Sequence, residues 1–244
     1  MTRFLLLSFA IFLACAANSH SKLQFCSRSD PNLNKCLQVA IQSALVTLQR
    51  GIKEYGVPSI EVFSVPAYTV KSDPPIHFDQ SETDIRISGH LESEIKDVDA
   101  KIEDSDFSLT LTVLTKKLTY LSNYDYKDAI IDGVDMSGKG KKDVIGDNFQ
   151  FTVTFTGVVD QKGGERYLQI TQASIVDVML DMVHFSYGST EDRSGELLTN
   201  YLTKNMKSIL AKESKKYMVV YEEAYKTGAN AVFSKIPYDV LFPK

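Results

Sequence analysis

Histidine is scarce in this chain, and what is missing around it removes whole classes of chemistry. Four occur, His20, His77, His90 and His184, and they form neither an HExxH pair nor an HxH. No G-x-S-x-G elbow is present either, so the machinery of a zinc or serine hydrolase is lacking. Positive charge is short as well. The 27 Lys and Arg face 31 Asp and Glu, a net charge of −4, without the basic field of a general nucleic-acid binder. After the first residues no run of about 18 apolar residues exists to anchor the chain in a bilayer. There is no N-x-[ST] sequon, so N-glycosylation is not expected. Internal repeats and low-complexity linkers are absent, which leaves a single domain. Cysteine is nearly absent too, with three in 244 residues.

Two near-motifs fail on inspection. Gly133 to Lys139 almost spells a P-loop, but Gly140 stands where a Ser or Thr must hold magnesium, and a polar loop follows instead of a helix. The acidic group Asp97, Asp99, Glu103, Asp104 and Asp106 has the charge of a calcium loop, yet Ile102 occupies the place of its turn glycine. It reads as a solvated face. The basic run Lys139-Gly140-Lys141-Lys142 reads as a solvated loop tip, and His184 as a partly exposed strand residue. No metal, cofactor or catalytic residue is expected.

What is present begins with an export signal. Residues 1–17 carry Arg3, an apolar run from Phe4 to Leu13 and a small-residue site at Ala14-Cys15-Ala16. This is the pattern of a cleavable signal peptide, too short for a membrane span of about 20 residues. Cys15 leaves with it. The remaining domain, 18–244, keeps Cys26 and Cys36, and an even pair in an exported chain is read as a disulfide. With 43% apolar and 24% charged residues, the composition is that of a folded domain.

Periodicity divides the domain into helical ends and a stranded middle. Asp30-Pro31 reads as a cap and first helical residue, and Leu33, Leu37, Ala40, Ile41, Ala44, Leu45 and Leu48 then recur at helical spacing up to Gly51. That predicts a helix over 31–50, its first turns stapled by the cysteines. From Ile60 to Tyr187 the period is two. It is clearest in Phe107, Leu109, Leu111, Val113 and in Phe149, Phe151, Val153, Phe155, with hydroxyl residues between them. One face buried and one wet is the mark of antiparallel strands. Ser59–Val70, Asp84–Ile95, Lys117–Leu121, Tyr167–Ile175 and Val176–Phe185 read likewise, with turns at Asp160–Gly164 and Ser137–Gly140. After Ser194 the period returns to 3.6, through Leu198, Tyr201, Leu202, Met206, Ile209, Leu210, Tyr217, Tyr221 and Ala224 to Gly228. Such a helix is near 50 Å long and needs an equally long surface to lie on. The fold class is therefore α+β: a long curled antiparallel sheet wrapped around a long C-terminal helix, with a short N-terminal helix.

An ordered set of segments resembles the arthropod takeout and haemolymph juvenile-hormone-binding family. It comprises the signal, the hook CSRSDPNLNKCL from Cys26 to Leu37, Gly51-Ile52, the strand Val57–Val65, and Ile87-Ser88-Gly89-His90-Leu91. Gly138-Lys139-Gly140, Tyr187-Gly188 and the tail Ile236-Pro237-Tyr238-Asp239-Val240-Leu241-Phe242-Pro243 complete it. The resemblance runs over essentially the whole domain, and the hook and tail contribute most. It implies an elongated wrap of sheet around helix, enclosing a tunnel for a lipophilic ligand outside the cell. Asp135 stands where the family commonly has proline, with Asp132 nearby, and Thr203 where asparagine is frequent, although Asn205 fits. A second disulfide is lacking, which moves the reading toward the takeout-like branch.

On this reading the chain is a secreted monomeric carrier of a small lipophilic ligand, with no stable membrane anchor and no nucleic acid. A lipid-transfer protein and a secreted hydrolase are the alternatives. From periodicity alone the aromatics are core; the resemblance makes them tunnel wall. The expected ligand-binding residues are Phe107, Leu109, Leu111, Val113, Phe149, Phe151, Val153 and Phe155 on the strands. Tyr201, Leu202, Met206, Ile209, Tyr217 and Tyr221 face them from the long helix.

Overall fold

The computed structural model describes residues 23–71, 76, 78–189 and 193–244. The signal segment 1–17, His20 and His77 lie outside the described residues. After the helix α1 (Leu33–Leu48) come strands β1 (Val62–Val70), β2 (Gln80–Ser88), β3 (Glu94–Ile102) and β4 (Asp106–Tyr126). A small hairpin, β5 (Ile130–Ile131) and β6 (Val134–Asp135), leads to β7 (Gly138–Lys162), β8 (Glu165–Met179) and β9 (Met182–Ser189). The 40-residue helix α2 (Ser194–Phe233) and the short α3 (Tyr238–Leu241) close the chain.

The spine of the sheet is the antiparallel pair of β4, 21 residues, and β7, 25 residues, bonded from Asp106↔Val158 to Tyr126↔Gly138. At one end β3 adds to β4 and β8 to β7. At the other, β2 adds to β4 and β1 to β2, and β9 adds to β7. Helix α2 packs on β8 and β9 and also on β1, strands at opposite margins of the sheet. One helix touches both margins only because the sheet is rolled around it. At about 1.5 Å per residue α2 is about 60 Å long. Helix α1 lies over β3 at the far end from β1.

The inward face of this sheet changes parity along the strands. In β4 the odd residues from Phe107 to Thr115 are buried, then Lys116 and Lys117 are both exposed, and the even residues Leu118 to Tyr126 are buried. β7 changes at the same level, since Lys117 is paired with Asp147 and Asn148 takes a left-handed φ of 50°. Asp84 in β2 and Asp177 in β8 are left-handed as well, each at a break in strand register. Asp and Asn tolerate that conformation, and such bulges bend and twist a sheet. They are how flat strands curl around a helix.

Several local expectations need correction. Asp30 is not the helix cap: its carboxylate accepts from the Asn32 amide in a turn, its carbonyl accepts from Leu33, and α1 begins at Leu33 after Asn32. Ser137–Gly140 is not a turn, because Gly138 opens β7; the reversal is at Asp132-Gly133, both with positive φ. The helix α2 runs past Gly228. There the missing side chain lets the Phe63 ring in, since a Cβ would meet it at 2.2 Å. The reversal expected over Asp160–Gly164 is narrower, at Gly163-Gly164, since β7 runs through Lys162.

Candidate functional site

Between the sheet and the helices lies a cavity of about 220 Å³. Leu109, Leu111 and Val113 of β4 with Val153 and Phe155 of β7 form its floor. Its lid is α1, through Leu37, Ala40, Ile41, Ala44, Leu45 and Leu48, and its side wall is α2 from Tyr225 to Phe233. The hook reaches it too, with Leu23 to Cys26, and Cys26 is bonded to Cys36 across ten residues. The tail supplies Ile236, Leu241 and Phe242. That tail is locked in place by charge. Arg28 and Arg166 both bind Asp104 and Asp239, flanking the Tyr238 ring at 5.2 and 5.4 Å. Hydrogen bonds from Arg166 hold both carboxyls below the usual range.

Polar side chains in the wall of this cavity are few: Gln24, Ser93, His90 and Tyr225 among the described residues. His90 follows Gly89, whose φ of 100° and close approach to the Lys117 carbonyl no side chain would allow. The imidazole stacks on Phe63 at 3.8 Å, and its Nε2 meets the Ile60 carbonyl. A carbonyl only accepts, so Nε2 carries the proton and Nδ1 is a bare acceptor. Burial pushes the imidazole down to about 4, against the bond to Ile60 and the charge of Glu61. Burial likewise pushes the Tyr225 phenol well up. Both groups are therefore neutral at pH 7, and the cavity carries no fixed charge on them.

A second cavity, of about 100 Å³, opens beyond the parity change, between the sheet and the middle of α2 from Leu202 to Tyr221. One wall is a polar knot. Glu82 of β2 accepts from Tyr120 at 2.7 Å, Ser122 at 2.8 Å and Tyr126 at 3.0 Å, and is bonded to Lys142 of β7. Register explains the convergence, because Ser122 lies opposite Lys142 and Lys142 opposite Tyr187 on one sheet face. Burial alone would raise the Glu82 carboxyl and lower the Lys142 ammonium. Their mutual attraction, with the hydroxyl donors, reverses both: the carboxyl lies below its usual range and the ammonium well above. Lys142 also sits over the rings of Tyr120, Tyr187 and Tyr217. The basic run is thus no solvated tip at its last residue, since Lys142 is buried in a strand. His184, by contrast, is exposed on β9 and bonds Asp147 at 2.9 Å.

A family model for the haemolymph juvenile hormone binding protein (JHBP) family matches residues 5–243. The chain belongs to this family. Among solved structures, Takeout 1 of Epiphyas postvittana shares the JHBP-like fold with a TM-score of 0.69, at 16% identity over 91% of this chain and all 100% of that one. Lipopolysaccharide binding protein aligns over 72% of this chain and 38% of its own, at 14% identity and a TM-score of 0.29. No curated protein sequence matches at a significant level.

The JHBP-family fold distributes the expected site residues between the two cavities. Leu109, Leu111, Val113, Val153 and Phe155 line the first; Phe149, Leu202, Ile209, Tyr217 and Tyr221 line the second. Four line neither. Phe107 is packed against Phe233 and Phe242, and Phe151 is fully buried, its ring against Phe149 from the second cavity's wall and Tyr225 from the first's. Tyr201 packs on the small core near the β5–β6 hairpin, and the Met206 sulfur accepts from the Val183 amide at 3.3 Å. Sequence reasoning missed His90, Tyr225, Glu82 and Lys142. Tyr225 was within reach, because it continues the four-residue step of Tyr217 and Tyr221. Glu82 gives no signal, since its partners come from strands distant in sequence.

Proposed function

We propose that the protein is a secreted carrier that sequesters a small lipophilic molecule in the larger cavity and releases it without chemical change. The observation that carries this reading is the cavity wall, apolar on every element and broken by few polar side chains. Burial at roughly 25 cal/mol per Å² of apolar surface supplies affinity in such a site, and a few polar groups supply orientation. The family assignment supports it, as do the cysteine hook and the leader-like first 17 residues. Among the described residues no His, Cys, Asp and Glu group is suited to a metal, and no helix is long and apolar enough to cross a membrane.

The test is to fill the space. Ala229→Phe on α2 and Val113→Phe on β4 each place a ring in the cavity, at a cost of about 1–3 kcal/mol in stability from overpacking. Affinity for an apolar fluorescent probe is expected to fall by about tenfold, or about 1.4 kcal/mol, with native circular dichroism. Unchanged affinity in both variants would mean that ligand does not enter here.

A further inference from the structure

Two residues that line the larger cavity each carry a buried polar atom without a hydrogen-bond partner among the described residues: Nδ1 of His90 and the hydroxyl of Tyr225. Buried polar atoms are rarely left so, and they belong to two of the four polar side chains in this wall. They are also neighbours. The two rings meet edge to face with centres 6.2 Å apart, and Phe63 touches both, at 3.8 and 5.2 Å. Their chemistry is complementary and specific. With its proton on Nε2 toward Ile60, His90 offers at Nδ1 only a lone pair, whereas Tyr225 offers an O–H.

Resting on the carrier reading, we infer that this pair selects a lipophilic alcohol, whose hydroxyl donates to His90 Nδ1 while its oxygen accepts from Tyr225. A hydroxyl does both with one atom. An ether, epoxide or ester has acceptors only, so it satisfies Tyr225 and leaves Nδ1 bare. A carboxylate has the same defect and brings a charge into a wall that holds no Lys or Arg among the described residues. The buried ammonium of Lys142 lines the other cavity and is already paired with Glu82. A hydrocarbon satisfies neither atom.

The experiment compares three ligands of matched chain, dodecanol, its methyl ether and dodecanoate, as competitors of N-phenylnaphthylamine fluorescence at pH 7. Dodecanol is expected to compete about tenfold better than the ether, about 1.4 kcal/mol, and better than dodecanoate. Tyr225→Phe keeps the ring and removes the O–H. It is expected to bring dodecanol to the level of the ether, with competition in each protein referred to the fluorophore's own affinity measured there. His90→Phe, which keeps a ring against Phe63, is expected to do the same. Equal competition by alcohol and ether in the unaltered protein would mean that water serves these atoms, and would overturn the assignment. So would an alcohol preference that survives Tyr225→Phe, or a preference for dodecanoate. Each of those results leaves the carrier reading standing. Failure of the fluorophore and all three ligands to bind overturns both.

Discussion

His90 is held neutral by its surroundings, and that has a measurable cost in acid. The unfolded chain takes up a proton near pH 6.5, whereas the folded imidazole does so only at about 4. Below pH 6.5 the unfolded state therefore binds the proton first, so stability is whole above that pH and falls as pH drops toward 4. At 1.36 kcal/mol per pH unit the full loss is about 3 kcal/mol. Urea unfolding at pH 7 and pH 4 should show it, and His90→Phe should flatten the difference. Glu82 and Lys142 present the opposite case, two buried charges that satisfy one another. Lys142→Met leaves the carboxylate with hydroxyl donors but no cation, and is expected to lose about 3–5 kcal/mol in the same measurement. Adding Glu82→Gln removes the stranded charge and should restore most of that loss. A double variant no better than the single one would show that the ion pair is not what the knot depends on.

Among the elements, α1 depends most on a covalent tie. It packs on β3 and covers the larger cavity, but its cap residue Asn32 makes no side-chain capping bond and its first turn has no acidic residue. The bond from Cys26 to Cys36 fastens that turn to the hook, which also lines the cavity. Closing a loop of this size contributes about 2–3 kcal/mol. Cys26→Ser with Cys36→Ser should lower stability by that amount and speed release of a bound probe in stopped flow, since the lid then opens more often. Unchanged release would place the ligand's exit elsewhere. The β4–β7 pair shows why element boundaries escaped the sequence. Period-two runs were legible on either side of Lys116-Lys117, but the parity change makes one 21-residue strand look like two.

At the scale of the molecule, sheet, helix and tail close on one interior, and a ligand there should act on the whole. The helix α2 joins opposite margins of the sheet, and the Arg28–Asp239–Arg166 clasp joins hook, tail and β8. A molecule that binds only the folded state adds about 2.7 kcal/mol at 100 times its Kd. Saturation with dodecanol should accordingly raise the thermal midpoint, and the Ala229→Phe variant should show a smaller rise at the same concentration.

The chain of residues alone determined what depends on neighbours: a stapled amphipathic helix, alternating strands, a long C-terminal helix, and an inward face at Phe107 to Val113 and Phe149 to Phe155. Those patterns follow from the periods of helix and strand, which are local properties. Tertiary structure decided the rest. It buried Phe151 between the Phe149 and Tyr225 rings and not on a free wall, buried Lys142 beside Glu82, and left His90 Nδ1 and the Tyr225 hydroxyl without a hydrogen-bond partner among the described residues. Each of these results from strands and helix meeting across long sequence separations. Which atoms lose water there is set by register, bulges and the roll of the sheet, and no local pattern records them.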